Sequence, residues 1–213
     1  MKRSHLLALV NGVYWLMLAL WFGSLVFTGA IAAMLFPMMK RIDLILPDYA
    51  AYDGSHSILL AGRIMAVIFS MQDVVELAAI VVLAMILMLH FSAFRMPLHR
   101  ASNVVRVLAA ATLMILVSYD TFVLAPRMTA NLDTFWRTAE AGEIETARQA
   151  KAAFDADHPG ASRVMSFTAL MLMTMIFASA AALSAPAEAA PVSTTARRGP
   201  QLEEPELLRR MNR

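Results

Sequence analysis

The feature that most constrains this chain is residues 63–89, RIMAVIFSMQDVVELAAIVVLAMILML. As a helix it is long enough to cross a hydrocarbon core of about 30 Å, which takes roughly 20 residues. Its second half is purely apolar, whereas its first half carries Gln72, Asp73 and Glu76. Asp73 and Glu76 stand three apart, so both carboxyls leave one face of the helix. Each acid placed in lipid costs roughly 2.5–3.5 kcal/mol on insertion scales. This helix therefore needs neighbours that turn its acidic face away from lipid, which makes the chain a multi-helix membrane protein.

Composition agrees. Of the 213 residues 59% are hydrophobic and only 16% charged, against about 45–50% apolar residues in ordinary soluble domains. The mean hydropathy is +0.61. A net charge of +2, with basic residues scattered rather than striped, argues against nucleic acid as a partner and leaves membrane lipid as the expected one. There is no Cys, which removes disulfides, thiolate metal sites and Cys nucleophiles together. The opening MKRSHLLALV resembles the start of a signal peptide, but the apolar run that follows is too long for one, and an uncleaved first transmembrane helix is expected.

Four spans are expected, at about residues 13–36, 64–89, 104–124 and 164–183. The first should stop at Pro37, with Tyr14 and Trp15 in the interfacial aromatic belt and Trp21 too deep for it. Ser24/Thr28 and Gly29/Ala33 are small residues four apart and read as packing seams, as do Thr174, Ala178 and Ala182. Pro37, Pro47 and Asp53-Gly54 punctuate the first connection, and its apolar run between the prolines is short enough to lie in the interface. In the third span Arg106 sits one turn inside, where its stem would snorkel to the headgroups. Residues 127–162 are charged and Ala-rich and should form one long or two shorter helices outside the bilayer, with Leu132, Phe135 and Trp136 as an apolar stripe and His158-Pro159-Gly160 as the end. Residues 185–213 mix Pro, Ala, Thr and charge and read as a disordered tail. The expected fold is thus all-α, a four-helix transmembrane bundle with a helical extramembrane third loop and a disordered C-terminal tail.

Charge placement supplies an orientation. Lys2, Arg3, Arg95, Arg100, boundary Arg106 and the tail arginines lie at one end, and the opposite loops have mixed charge. Positive-inside reasoning gives N-in and C-in. The second helix then enters from outside near Arg63, which puts Asp73 about 15 Å and Glu76 about 20 Å along it, with Asp120 roughly 6–8 Å below the outer surface. Arg63, Arg127, His56 and His158 fall near the same side. An outward-facing polar pocket of Gln72, Asp73, Glu76, Tyr119 and Asp120, rimmed by Arg63, Arg127 and His158, is the candidate site, since intramembrane carboxylates usually face a bundle interior or a wet cavity. The bland counterpart is interhelical glue, with a protonated acid bonded to Ser118, Tyr119 or Gln72.

The sequence carries no HExxH, GxSxG, GxGxxG or GxxxxGKS/T run. No catalytic residue and no cofactor are expected, and the acids and histidines lack ligand-like spacing, which leaves any metal unspecified. Three functions compete: an inner-membrane protein that binds or passes a small ion or solute, a structural or accessory subunit that partners itself or a larger membrane complex, and a metal- or haem-dependent oxidoreductase built on Asp73, Glu76, Asp120 and His158.

One further pattern runs through the chain. Trp21-Phe22-Gly23, Phe36-Pro37, Ala61-Gly62-Arg63 followed by Phe69, Tyr119 before Pro126, and Phe154, His158 and Ser162 before the last span occur in this order. Over residues 13–183 the sequence resembles the transmembrane protein 205 family of four-helix integral membrane proteins, which includes bacterial members. The resemblance implies a four-span bundle in a membrane. It implies no chemistry, because the family has no established biochemical activity.

Overall fold

The computed structural model describes residues 3–184, and the expectations for Lys2 and for the tail lie outside them. In chain order the elements are α1 (Arg3–Met39), a 3-10 turn (Pro47–Tyr49), α2 (His56–Ser92), α3 (Ala101–Tyr119), a π turn (Asp120–Leu124), α4 (Ala125–Glu140) and α5 (Ile144–Ser184). The fold is an all-α bundle of four helices, Ser4–Met39, His56–Ser92, Ala101–Glu140 and Ile144–Ala182, each long and apolar enough to cross a membrane. A helix of 36 residues is about 54 Å long, well beyond a hydrocarbon core of about 30 Å.

The core is written in a three-and-four spacing. On α1 the buried residues Tyr14, Leu18, Trp21, Leu25 and Thr28 recur at that interval, and on α2 so do Gln72, Glu76, Ala79, Leu83, Ile86 and His90. Asn103, Arg106, Ala110, Leu113 and Val117 repeat it on α3, as Thr168, Leu172, Met175 and Ser179 do on α5. This is the seam spacing of left-handed helix packing. Middle positions of all four stripes are apolar: Leu18, Trp21, Leu83, Leu113, Leu172 and Met175 show no exposed surface. Outward faces such as Phe27, Val67, Met71, Ile115 and Phe177 remain exposed, as lipid contact requires.

Local chemistry sets several ends. Ser55 caps α2 by accepting the Ile58 N–H at 3.3 Å. At the α4 terminus Gly142 adopts φ 77, and the Glu143 N–H reaches the Thr138 carbonyl at 2.8 Å while Gly142 N–H reaches Ala139 at 3.3 Å. That paired closure needs a left-handed residue, which glycine supplies without steric cost. The α4–α5 corner packs on the first connection through a second core of Tyr49, Leu59, Phe135, Ala139, Ala147 and Ala150, with Leu132 and Trp136 alongside. The expected stripe of residues 132, 135 and 136 is therefore an internal contact of a helical cap at one end of the bundle.

Three proline boundaries differ from the sequence reading. α1 passes through Pro37 to Met39, and α5 passes through Pro159-Gly160 without a break. Each proline removes one N–H bond to the carbonyl four residues earlier, at Ala33 and Asp155, and all four residues are exposed, so only an exposed stretch of backbone is affected. Pro126 does not end the third helix either. The π turn before it, marked by the Ala125 N–H bonded to the Asp120 carbonyl, leads directly into α4 with Pro126 in its first turn.

Two packing expectations also fail. Gly29 and Ala33 are exposed, and a Cβ on Gly29 would meet nothing within 4 Å, so this pair is not a seam inside the bundle. Tyr14 is 2% exposed in the core rather than in an interfacial belt. Its hydroxyl is the reason: it bonds Ser179 Oγ at 2.7 Å and finds better company inside than at the lipid boundary.

Candidate functional site

The polar groups of the bundle fall into two layers separated by the apolar middle. In the layer on the side of the cap (the outer layer), Gln72 and Glu76 lie one turn apart on α2 and both are buried. Thr28 Oγ1 donates to Gln72 Oε1 at 3.3 Å, and Gln72 Nε2 donates to Glu76 Oε1 at 3.1 Å. The chain of donors thus runs from α1 across Gln72 and ends on a carboxyl. The Trp21 side chain neighbours Glu76, and its buried indole N–H has no partner at full hydrogen-bond geometry among the described residues. Thr168, 1% exposed on α5, likewise holds a hydroxyl without a partner.

Asp73 and Asp120 are half-buried at the edge of this layer. Asp120 is within electrostatic reach of both Asp73 and Glu76. Asp120 opens the π turn and stands between Val117 and Leu124, seven residues apart on one helix face and both buried. Such turns recur where a helix re-aims a functional side chain. Three acids are therefore gathered from α2 and the end of α3. Among the described residues no three His, Asp or Glu side chains are close enough together to hold a metal ion.

The expected basic rim is engaged elsewhere. Arg63 is stacked between the Tyr49 ring at 5.4 Å and the Trp136 ring at 5.2 Å. Arg127 grips Asp157 with two bonds, Nε to Oδ2 at 2.7 Å and Nη2 to Oδ1 at 2.6 Å. His158 is exposed with its ring 5.4 Å from Phe154, and Tyr119 is 45% exposed. Arg63, Arg127 and His158 thus make their contacts in the cap, and it is Gln72, Asp73, Glu76 and Asp120 that the fold brings together. His56 also has a local role: Nδ1 accepts the Leu46 N–H at 2.9 Å and Nε2 meets the Tyr52 carbonyl at 3.1 Å. Burial raises the Tyr49 hydroxyl above its ordinary value of 10.0, with Arg63 pulling the other way, so the cap is built around a neutral tyrosine.

Two surface hollows lie apart from the acids. One of about 390 Å³ is lined by residues 40–45 and 54–57, and one of about 290 Å³ by Ser162, Arg163, Ser166, Phe167 and Leu170.

The inner layer was not foreseen as a unit. Arg106, expected at the headgroups, is only 3% exposed. Its Nε donates to Tyr14 Oη at 3.3 Å, Nη1 to Asn103 Oδ1 at 3.3 Å, and Nη2 meets His90 Nδ1 at 3.4 Å. The guanidinium also lies 4.8 Å from the centre of the Tyr14 ring. His90 Nε2 completes its own pairing with Asn11 Oδ1 at 2.9 Å. Arg106 turns inward because it shares the α3 stripe with Ala110, Leu113 and Val117, a register visible in the sequence once the apolar spacing is extended back to residue 103.

No family model, curated protein or solved structure matches this chain.

Proposed function

We propose that this chain is an ion-handling protein of the bacterial inner membrane, in which Asp73, Glu76 and Asp120 form a proton-binding cluster open to the outer side. The observation that carries the reading is the gathering of three carboxyls inside the spanning region. The ion pairs in which both partners are described, Arg127–Asp157, Arg148–Asp53 and Lys151–Asp155, lie in the cap or its loops. Intramembrane acids gathered in this way mark ion pathways and proton relays. A single proton needs no multidentate shell, which suits side chains that do not converge on one point. Thr28 and Gln72 serve the site by presenting donors to Glu76, and the Trp21 N–H adds a further donor beside it.

The orientation belongs to the same reading. Arg95 and Arg100 flank the connection between α2 and α3, which supports N-in and C-in and puts the acids in the outer half. Beneath them the apolar layer of Leu18, Leu83, Leu113 and Leu172 closes the way inward, so passage requires a second arrangement of the bundle. The ordered motifs from Trp21 to Ser162 support membership of the transmembrane protein 205 family, and we carry that as part of the proposal.

The test is proton flux in proteoliposomes made from pure protein, with a pH-sensitive dye inside. Wild type is expected to dissipate an imposed pH gradient, and Asp73→Asn and Glu76→Gln to slow it at least tenfold with melting temperatures nearly unchanged. Equal rates in wild type and both amide variants, or no wild-type flux at all, would contradict proton passage.

A further inference from the structure

Among the described residues, the inner layer contains a permanently charged side chain with no opposite charge in contact with it. Arg106 is 3% exposed, and a guanidinium does not deprotonate in proteins. Burying a charge is costly unless an ion of opposite sign is close and the remaining donors are satisfied. The contacts of Arg106 among the described residues are all neutral: a phenol, an amide, an imidazole and an aromatic face.

Each neighbour is locked so as to face the guanidinium with an acceptor. The Asn103 amide donates to the Pro97 carbonyl at 2.8 Å, which leaves its oxygen for Arg106. His90, when Nε2 donates to Asn11, presents a bare Nδ1 and is therefore neutral. Tyr14 accepts from Arg106, and its hydroxyl shares a second hydrogen bond with Ser179 Oγ. The three bonds to Arg106 measure 3.3, 3.3 and 3.4 Å, whereas charge-assisted bonds to an anion close to about 2.7–2.9 Å. A guanidinium has five N–H donors, so two remain beyond those three bonds, both on the Nη atoms. The cluster orients Arg106 firmly and does not neutralise it.

We propose that the inner layer is an oxyanion site, in which the free Nη donors of Arg106 take the two oxygens of a phosphate group. The planar fork matches phosphate in a two-bond geometry. Arg106 stands about 8 Å along α3 from Ala101, beside the connection that carries Arg95, His99 and Arg100. That depth suits a phospholipid headgroup and also admits free phosphate. The site is separate from the outer acids, about 21 Å away by helical rise from His90 to Glu76, and does not depend on their role.

The experiment uses the full chain purified in an uncharged detergent without phosphate. Its melting temperature is followed against added phosphatidylglycerol, against inorganic phosphate, and against sodium chloride at equal ionic strength. Wild type is expected to rise by about 5 °C with at least one phosphate probe and not with chloride. A rise with the lipid alone assigns the headgroup, a rise with inorganic phosphate alone assigns the free anion, and a rise with both assigns a site that accepts either. In Arg106→Met the shift should vanish, and the melting temperature without ligand should be no lower than wild type, because an uncompensated buried charge has been removed. Should that variant fail to fold, Arg106→Lys keeps the charge without the fork and should weaken the response at least tenfold in ligand concentration. A wild-type protein indifferent to both phosphate probes overturns the proposal. So does a shift that persists in full in Arg106→Met or Arg106→Lys.

Discussion

Glu76 is the residue on which the outer layer turns. It is buried, bonded to Gln72 at 3.1 Å, and linked through Gln72 to Thr28. Polar contacts inside membranes average about 0.6 kcal/mol, so Thr28→Val should cost less than about 1 kcal/mol of stability. Glu76→Leu removes an acid from the span and should leave the melting temperature unchanged or raised, while abolishing proton exchange. A large loss of stability in Glu76→Leu would mean that the acid serves packing. At this scale the sequence singles out Gln72, Asp73, Glu76 and Asp120, because an acid in an apolar run stands out by its insertion cost. It was a poor guide to Arg106, since a long basic side chain near a helix end has two solutions, snorkelling or burial. Only its neighbours Tyr14, Asn103 and His90, drawn from distant positions, decide between them. Tyr14 was misplaced for the same reason: its partner Ser179 is 165 residues away.

Among the elements, the helices were legible and their ends were not. Periodicity fixes which residues are helical, but a proline within a helix is decided by whether its lost bond falls at an exposed carbonyl. Pro159 sits exposed within α5, and a proline inside a helix costs roughly 3 kcal/mol relative to alanine. Pro159→Ala should therefore stabilise the protein by about 1–3 kcal/mol, read as a higher melting temperature. A loss of stability would show that α5 needs its proline. The cap gives a second prediction. Arg63 lies on both Tyr49 and Trp136, each stack contributing about 0.5–1 kcal/mol. Arg63→Ala should speed hydrogen exchange in α4 without altering exchange in the apolar middle of α2. Because burial raises the Tyr49 hydroxyl, the folded cap favours the protonated form. Its stability should be complete below about pH 10 and decline as pH climbs through the raised value. Exchange protection in α4 that held constant across that window would contradict this.

For the whole molecule, four apolar helices and a polar helical segment between the last two follow from composition and period, whereas the division into two polar layers does not. It depends on the register between four stripes, which no single segment states. The topology is checked by reporters inserted near Arg95, expected to report the cytoplasm, and near Asp53 and Glu143, expected outside; the reverse pattern would place the acids in the inner half. A stoichiometric partner that co-purifies and is required for stability would favour an accessory-subunit role. The most direct measurement concerns the acids themselves: infrared spectroscopy of the protonated carboxyl band in oriented proteoliposomes after a pH jump on one face. The account predicts a band change when the outer face is stepped, none on the same timescale when the inner face is stepped, and no change in the Asp73→Asn, Glu76→Gln, Asp120→Asn triple variant. Equal responses from the two faces, or a wild-type signal indistinguishable from the triple variant, would contradict it.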